Sequence, residues 1–140
     1  MSLFPTLQPA VSAAPKTTEL PMAMEPAWDF ETDQPIFRGG EPVSVTGIDA
    51  VKVWAWNALL TVRRRWPCLS PNYGNDCEAL IGTGYSDELK KAEAARYISE
   101  CLTVSPYIVE ASATEVSFED SELTAQVAVR TIYGELTINV

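Results

Sequence analysis

The chain has 140 residues and a formal charge of −9, from 19 acidic and 10 basic side chains, and 46% of its residues are hydrophobic. That length and apolar content predict one domain with a real core, and the acidic balance excludes a general nucleic-acid binder, which needs a basic footprint. No apolar run reaches the ~20 residues that cross a bilayer, and the start lacks the charged and apolar regions of a signal peptide, so no membrane partner is expected and synthesis in the cytoplasm is.

Residues 1–27 hold five prolines and no period of 2 or 3.6. Proline lacks an amide donor and breaks helices and central strands. The segment reads either as a disordered tail or as an extended N-terminal arm that orders along a neighbouring subunit on assembly. Leu3, Phe4, Leu7, Leu20, Met22 and Met24 are the apolar anchors of the second reading. A folded domain is expected over residues 28–140. It starts with a β-hairpin whose runs flank Gly39-Gly40, with Trp28 and Phe30 beneath it.

A first helix is expected over residues 46–65, capped by Thr46 with Asp49 three residues on. Ile48, Val51, Ala55, Ala58, Leu59 and Val62 form its apolar stripe. Trp54 and Trp56 lie about 200° apart on that helix, so one of them must meet another element or a partner. Arg63, Arg64 and Arg65 would occupy the last turn, where cations favour the helix dipole. Trp66 follows them, and Arg and Trp together are also the chemistry of interface hot spots, so both readings of the cluster stand.

Pro67 and Pro71 stop the helix. Asn75 with Glu78 predicts the start of a short helix that ends at Gly82. Ser86 caps a longer one, with Leu89, Ala92, Ala95, Ile98, Cys101 and Leu102 as its inner face. Pro106 ends it. The period then changes to two, and three strands follow, separated by turns at residues 119–122 and 133–135. The expected fold class is α+β: an N-terminal β-hairpin, and two main helices plus one short helix packed on a C-terminal three-stranded antiparallel sheet. Leu136, Ile138 and Val140 present one face of the last strand, whose edge offers unpaired backbone groups to a partner strand.

Little catalytic chemistry survives inspection. The chain has no histidine, which removes Ser-His-Asp and Cys-His schemes. Cys68, Cys77 and Cys101 are expected to be free thiols, one ligand short of a cysteine metal site. The acids sit at helix starts and turns, and no glycine loop matches a phosphate-binding pattern. No catalytic, cofactor-binding or metal-ligating residue is predicted.

Five short motifs stand in order: Trp28-Asp29-Phe30; Arg63-Arg64-Arg65-Trp66; Tyr73-Gly74 with Leu80-Ile81-Gly82; Ser105-Pro106-Tyr107-Ile108; and Thr131-Ile132-Tyr133-Gly134. This order resembles the baseplate-wedge, or sheath-initiator, family of contractile phage tails, most closely its prophage-type branch. The small baseplate subunit of type VI secretion systems is a relative. The resemblance implies a structural role in the virion tail baseplate, with copies in a ring around the tail tube that link wedge proteins to the first sheath ring. The expected partner-binding residues are Arg63, Arg64, Arg65, Trp66, Tyr73, Pro106, Tyr107, Leu136, Ile138 and Val140. In the wider family the long helix ends in Glu-Pro-Arg, which clamps the bundled helices of the wedge proteins; this chain has Ser105-Pro106-Tyr107, which puts a charge-based clamp there in question. The alternatives are a head–tail connector or distal tail protein of a non-contractile phage, and a cell-wall hydrolase.

Overall fold

The computed structural model describes residues 19–119 and 122–140. The first eighteen residues of the expected arm lie outside them. The end of that segment does not: Ala23 and Ala27 are buried, and β1 (Met24–Pro26) pairs with β6 (Ser44–Thr46).

Between these two strands the chain makes two further hairpins. β2 (Trp28–Asp29) pairs with β3 (Gln34–Pro35), and β4 (Phe37–Arg38) with β5 (Glu41–Pro42). Gly39 and Gly40 turn the latter with φ of 61° and 84°, the pair of positive values that a two-residue type I′ turn needs. The three ladders meet at Ala27, Ile36 and Val43. There Ala27 N–H donates to the Val43 carbonyl at 2.6 Å, Val43 to Ile36 at 3.0 Å, and Ile36 to Ala27 at 2.8 Å. This closed ring of bonds satisfies six groups that three short ladders would otherwise leave open. One hairpin was expected here; Trp28 and Phe30 instead belong to a second. Asp33 ties it down by accepting from the indole N–H of both Trp28 and Trp56, at 2.9 and 3.0 Å. Phe30 packs edge-on against Trp56, centroids 5.1 Å apart. Trp56 is thus the tryptophan that meets the N-terminal hairpin, while both it and Trp54 also pack against the edge of the core.

Helix α1 spans Ile48–Leu60, shorter than expected at both ends. Thr46 is drawn into β6, so Gly47, at φ 68°, takes the capping position with no side-chain cap. The 3-10 helix Cys77–Leu80 follows, its Cys77 N–H held by the Asn75 side-chain oxygen at 3.0 Å. Glu78 does not complete a capping box; it pairs with Arg65. Helix α2 spans Asp87–Thr103, and its Ser86 hydroxyl accepts from Leu89 N–H as expected. Ile98, Cys101 and Leu102 are buried as expected; in the first half of the helix Ala94 is buried instead, with Leu89 and Ala92 exposed.

The C-terminal sheet has the order β7–β8–β9, antiparallel throughout: β7 Ile108–Glu119, β8 Glu122–Thr131 and β9 Gly134–Asn139. Val127, Val129 and Ile138 join Leu80, Cys101 and Leu102 as the most deeply buried large side chains. The fold is α+β, with the helices against this sheet.

Burial raises the thiol pKa of Cys77 to about 11 and of Cys101, which also feels Cys77, to about 12. Cys68 is exposed. A thiol reagent at pH 8 is therefore expected to titrate only Cys68 in the native protein and all three cysteines in denaturant. Because both buried thiols are raised above the ordinary 9.0, their neutral forms stabilise the fold fully below pH 9.0, and that stability is lost as pH rises towards the folded values.

Candidate functional site

After Leu60 the chain runs extended and meets the Tyr73-Gly74-Asn75 segment. Asn75 N–H donates to the Thr61 carbonyl and Arg63 N–H to the Asn75 carbonyl, both at 3.0 Å, and Val62 forms a parallel bridge with Asn75. Gly74 makes the approach possible. Its φ is +101°, and a Cβ there would stand 2.7 Å from the Thr61 oxygen. Asn75 is only 6% exposed. Its amide donates to the carbonyls of Leu59, at 2.5 Å, and of Ala58 and Thr61, at 3.4 Å. A helix end leaves such carbonyls without intrahelical partners. Asn75 closes the C-terminus of α1 from a distant loop, which is why the helix stops before the arginines.

The arginine cluster consequently does not sit in the last helical turn. The three side chains divide. Arg63, 16% exposed, pairs with Asp76 at 3.3 Å. Arg65 holds both oxygens of Glu78, at 2.9 and 2.7 Å, but is half exposed. Arg64 has a left-handed backbone, φ 63°, is exposed, and makes no ion pair among the described residues. Trp66 is 56% exposed, and Tyr73 packs edge-on against Trp54 at 5.7 Å. An exposed pair such as Arg65–Glu78 contributes about 0–1 kcal/mol. Arg65→Ala is therefore expected to leave the urea midpoint nearly unchanged. Arg63→Ala is expected to lower it clearly, because it removes buried stem and leaves Asp76 unpaired. Equal effects in the two variants would contradict this division.

At the opposite end of α1 two motifs far apart in sequence converge. Tyr107 and Tyr133 stack with centroids 6.2 Å apart. The Tyr107 hydroxyl donates to the Pro21 carbonyl at 2.8 Å, and the Tyr133 hydroxyl accepts from Ala23 N–H at 3.0 Å. Pro106 is exposed beside them, and Ser105 is buried. Both bonds join uncharged groups, and the pair of phenols holds the chain's own segment at Pro21 and Ala23.

The third surface is β9. Ala125 and Val140 exchange both backbone bonds at 2.9 Å. The antiparallel alternation then turns the backbone groups of Leu136, Ile138 and Val140 towards β8, and those of Glu135, Thr137 and Asn139 outward. Among the described residues no strand pairs with that outer edge. Ile138 is 1% exposed and belongs to the core.

The expected site residues therefore form three groups: Arg63 to Trp66 with Tyr73 at one end of α1, Pro106 and Tyr107 at the other, and Leu136, Ile138 and Val140 along β9. Sequence reasoning read Asn75 only as the start of the short helix and missed its hold on the end of α1. It missed the role of Tyr133 altogether, whose only signal was its place in the Thr131–Gly134 motif.

The family model described as contractile injection system sheath initiator matches residues 24–134, from the first residue of β1 to the first of β9. No curated protein matches the chain.

Proposed function

The chain belongs to the contractile injection system sheath-initiator family, and from that footing we propose that it sits in the tail baseplate, bridging wedge proteins to the first sheath ring. The family's role is structural, in starting the sheath, so a tail sheath is the coarse partner. The finer reading has copies ringed around the tail tube, wedge proteins meeting the Arg64–Trp66 turn, and a sheath strand adding to β9. It has no catalytic step, cofactor, nucleic acid or membrane.

One observation carries the reading. The outward N–H and C=O groups of Glu135, Thr137 and Asn139 lie along an edge that no described strand covers. Such an edge aggregates unless it is blocked or used. This strand has no proline or lysine to block it. Main-chain bonds from an added strand would satisfy it and set a register at the same time. A photo-crosslinker in place of Asn139, whose side chain is exposed, is expected to capture the sheath subunit in assembled tails. Capture of wedge or tube protein alone would overturn the assignment.

A further inference from the structure

We propose that Glu25, with the aromatic hollow beside it, is a receptor for one arginine side chain of a partner protein. The contact is additional to those at the Arg64–Trp66 turn and β9 and does not depend on them. Along β1 and its flanks the side chains alternate. Met24 and Pro26 are exposed, Ala23 and Ala27 are buried, and Glu25 is half-buried between the two alanines. Alternate side chains of a strand share one face, so Glu25 is an acid on the inward face, set between two methyl groups. The small neighbours leave room on either side of it. Glu25 lines one hollow of about 490 Å³ with Met22 and Tyr107, and another of about 300 Å³ with Leu69 and Tyr73; Trp54 of α1 is common to both.

Charge is the first observation that defines the occupant. No ion pair among the described residues includes Glu25. Burial raises its carboxyl above the ordinary 4.5, and no cation offsets that rise. The carboxylate has lost part of its hydration before any partner arrives, so a cation that reaches it meets a smaller desolvation cost on binding. The walls are the second observation. Trp28, Trp54 and Tyr73 line the smaller hollow, with Trp54 and Tyr73 edge to face at 5.7 Å between centroids. Burial raises the Tyr73 phenol, and the Glu25 charge adds a smaller rise, so phenol and carboxylate share this hollow. Aromatic faces attract a cation, and a guanidinium both stacks on such rings and forks a carboxylate. The third observation is what the hollows lack. Glu25 is the sole charged residue lining either of them. Free arginine would bring an ammonium and a carboxylate that find no partners here, whereas an arginine within a polypeptide brings amides and apolar neighbours. The rim suits such neighbours: Met22, Met24 and Leu69 are 63%, 68% and 41% exposed. The donor is another protein rather than a second copy, because two bodies of charge −9 repel each other.

The test titrates the full chain with n-propylguanidinium, the arginine side chain without its backbone, and with n-propylurea, which has nearly the same shape and no charge. The indole N–H signal of Trp54 is followed in the wild type and in Glu25→Gln. That variant removes a charge that burial disfavours, so it is expected to fold at least as well. The expected result is a saturable shift, with the guanidinium bound about fivefold or more tighter than the urea, and no such preference in Glu25→Gln. Equal binding of the two probes, or a preference that survives Glu25→Gln, overturns the proposal. In assembled tails a photo-crosslinker in place of Leu69 is expected to capture another tail protein through an arginine-bearing peptide, at a yield about fivefold lower when Glu25→Gln is also present. No capture, capture of a second copy, or a yield that Glu25→Gln leaves unchanged overturns it as well.

Discussion

Asn75→Ala is expected to destabilise the protein by about 3 kcal/mol, and Asn75→Asp by more. The alanine variant loses three amide-to-carbonyl contacts at the end of α1 and the bond from Cys77 N–H. A typical net hydrogen bond contributes about 1 kcal/mol, and each buried group left unpaired costs about 1–3 kcal/mol. The Leu59 carbonyl is the closest of the three partners, so its loss sets the larger share. Aspartate keeps an acceptor for Cys77 N–H but turns an oxygen on carbonyls that need a donor. It also places a charge at a buried position. The order wild type, alanine, aspartate in urea melts is thus diagnostic. Aspartate equal to or better than alanine would mean that the helix end draws its stability from elsewhere. Since whole domains are stable by only about 5–15 kcal/mol, the alanine change alone removes a large share, and with it the geometry of the Arg63–Trp66 turn.

That turn also shows where the sequence was legible and where it was not. Ser86 starts α2 because a β-region serine directly before an acidic first turn is a local signal, complete within four residues. Gly39-Gly40 turns a hairpin for the same local reason. The alternation of β8 and β9 survives because their ladder has no irregularity. β7 is different. Register shifts between Ile108 and Glu110 and between Ala113 and Glu115 move its core-facing set from Ile108 to Ala111, then to Val116 and Phe118. Each extra residue reverses the parity, so the strand alternates only in short pieces, such as Val116 and Phe118, and carries no single period of two along its length. The end of α1 was misplaced for a non-local reason. Helical propensity runs on into the arginines, but a side chain sixteen residues downstream of Leu59 claims the last carbonyls. Thr46 was a credible cap until β1, whose Met24 lies twenty-two residues earlier, recruited it as a strand. Local chemistry was readable in both places, and a distant partner decided between two acceptable outcomes.

Thr137→Pro is expected to abolish sheath formation while leaving the subunit folded. The Thr137 amide points away from β8, because Val127–Ile138 and Val129–Leu136 are the pairs in phase with the doubly bonded Ala125–Val140 pair. Proline at an edge position removes only the outward donor, and a sheet tolerates that. The urea midpoint should shift by no more than about 1–2 kcal/mol equivalent, chiefly from the restriction on Leu136 before it. An incoming strand, in contrast, would meet a missing donor and a ring where its carbonyl must sit. An unpaired buried carbonyl costs about 1–3 kcal/mol, about tenfold or more in affinity at each contact. A ring of such contacts multiplies that loss. Thr137→Val keeps the N–H and is expected to build normal sheaths. Ile138→Pro is not an equivalent probe, since its amide serves β8 and its side chain is in the core. Micrographs of tails assembled with the Thr137→Pro subunit decide the matter: baseplates without sheath are the expected result, and full-length sheaths at normal yield would rule out strand addition at β9.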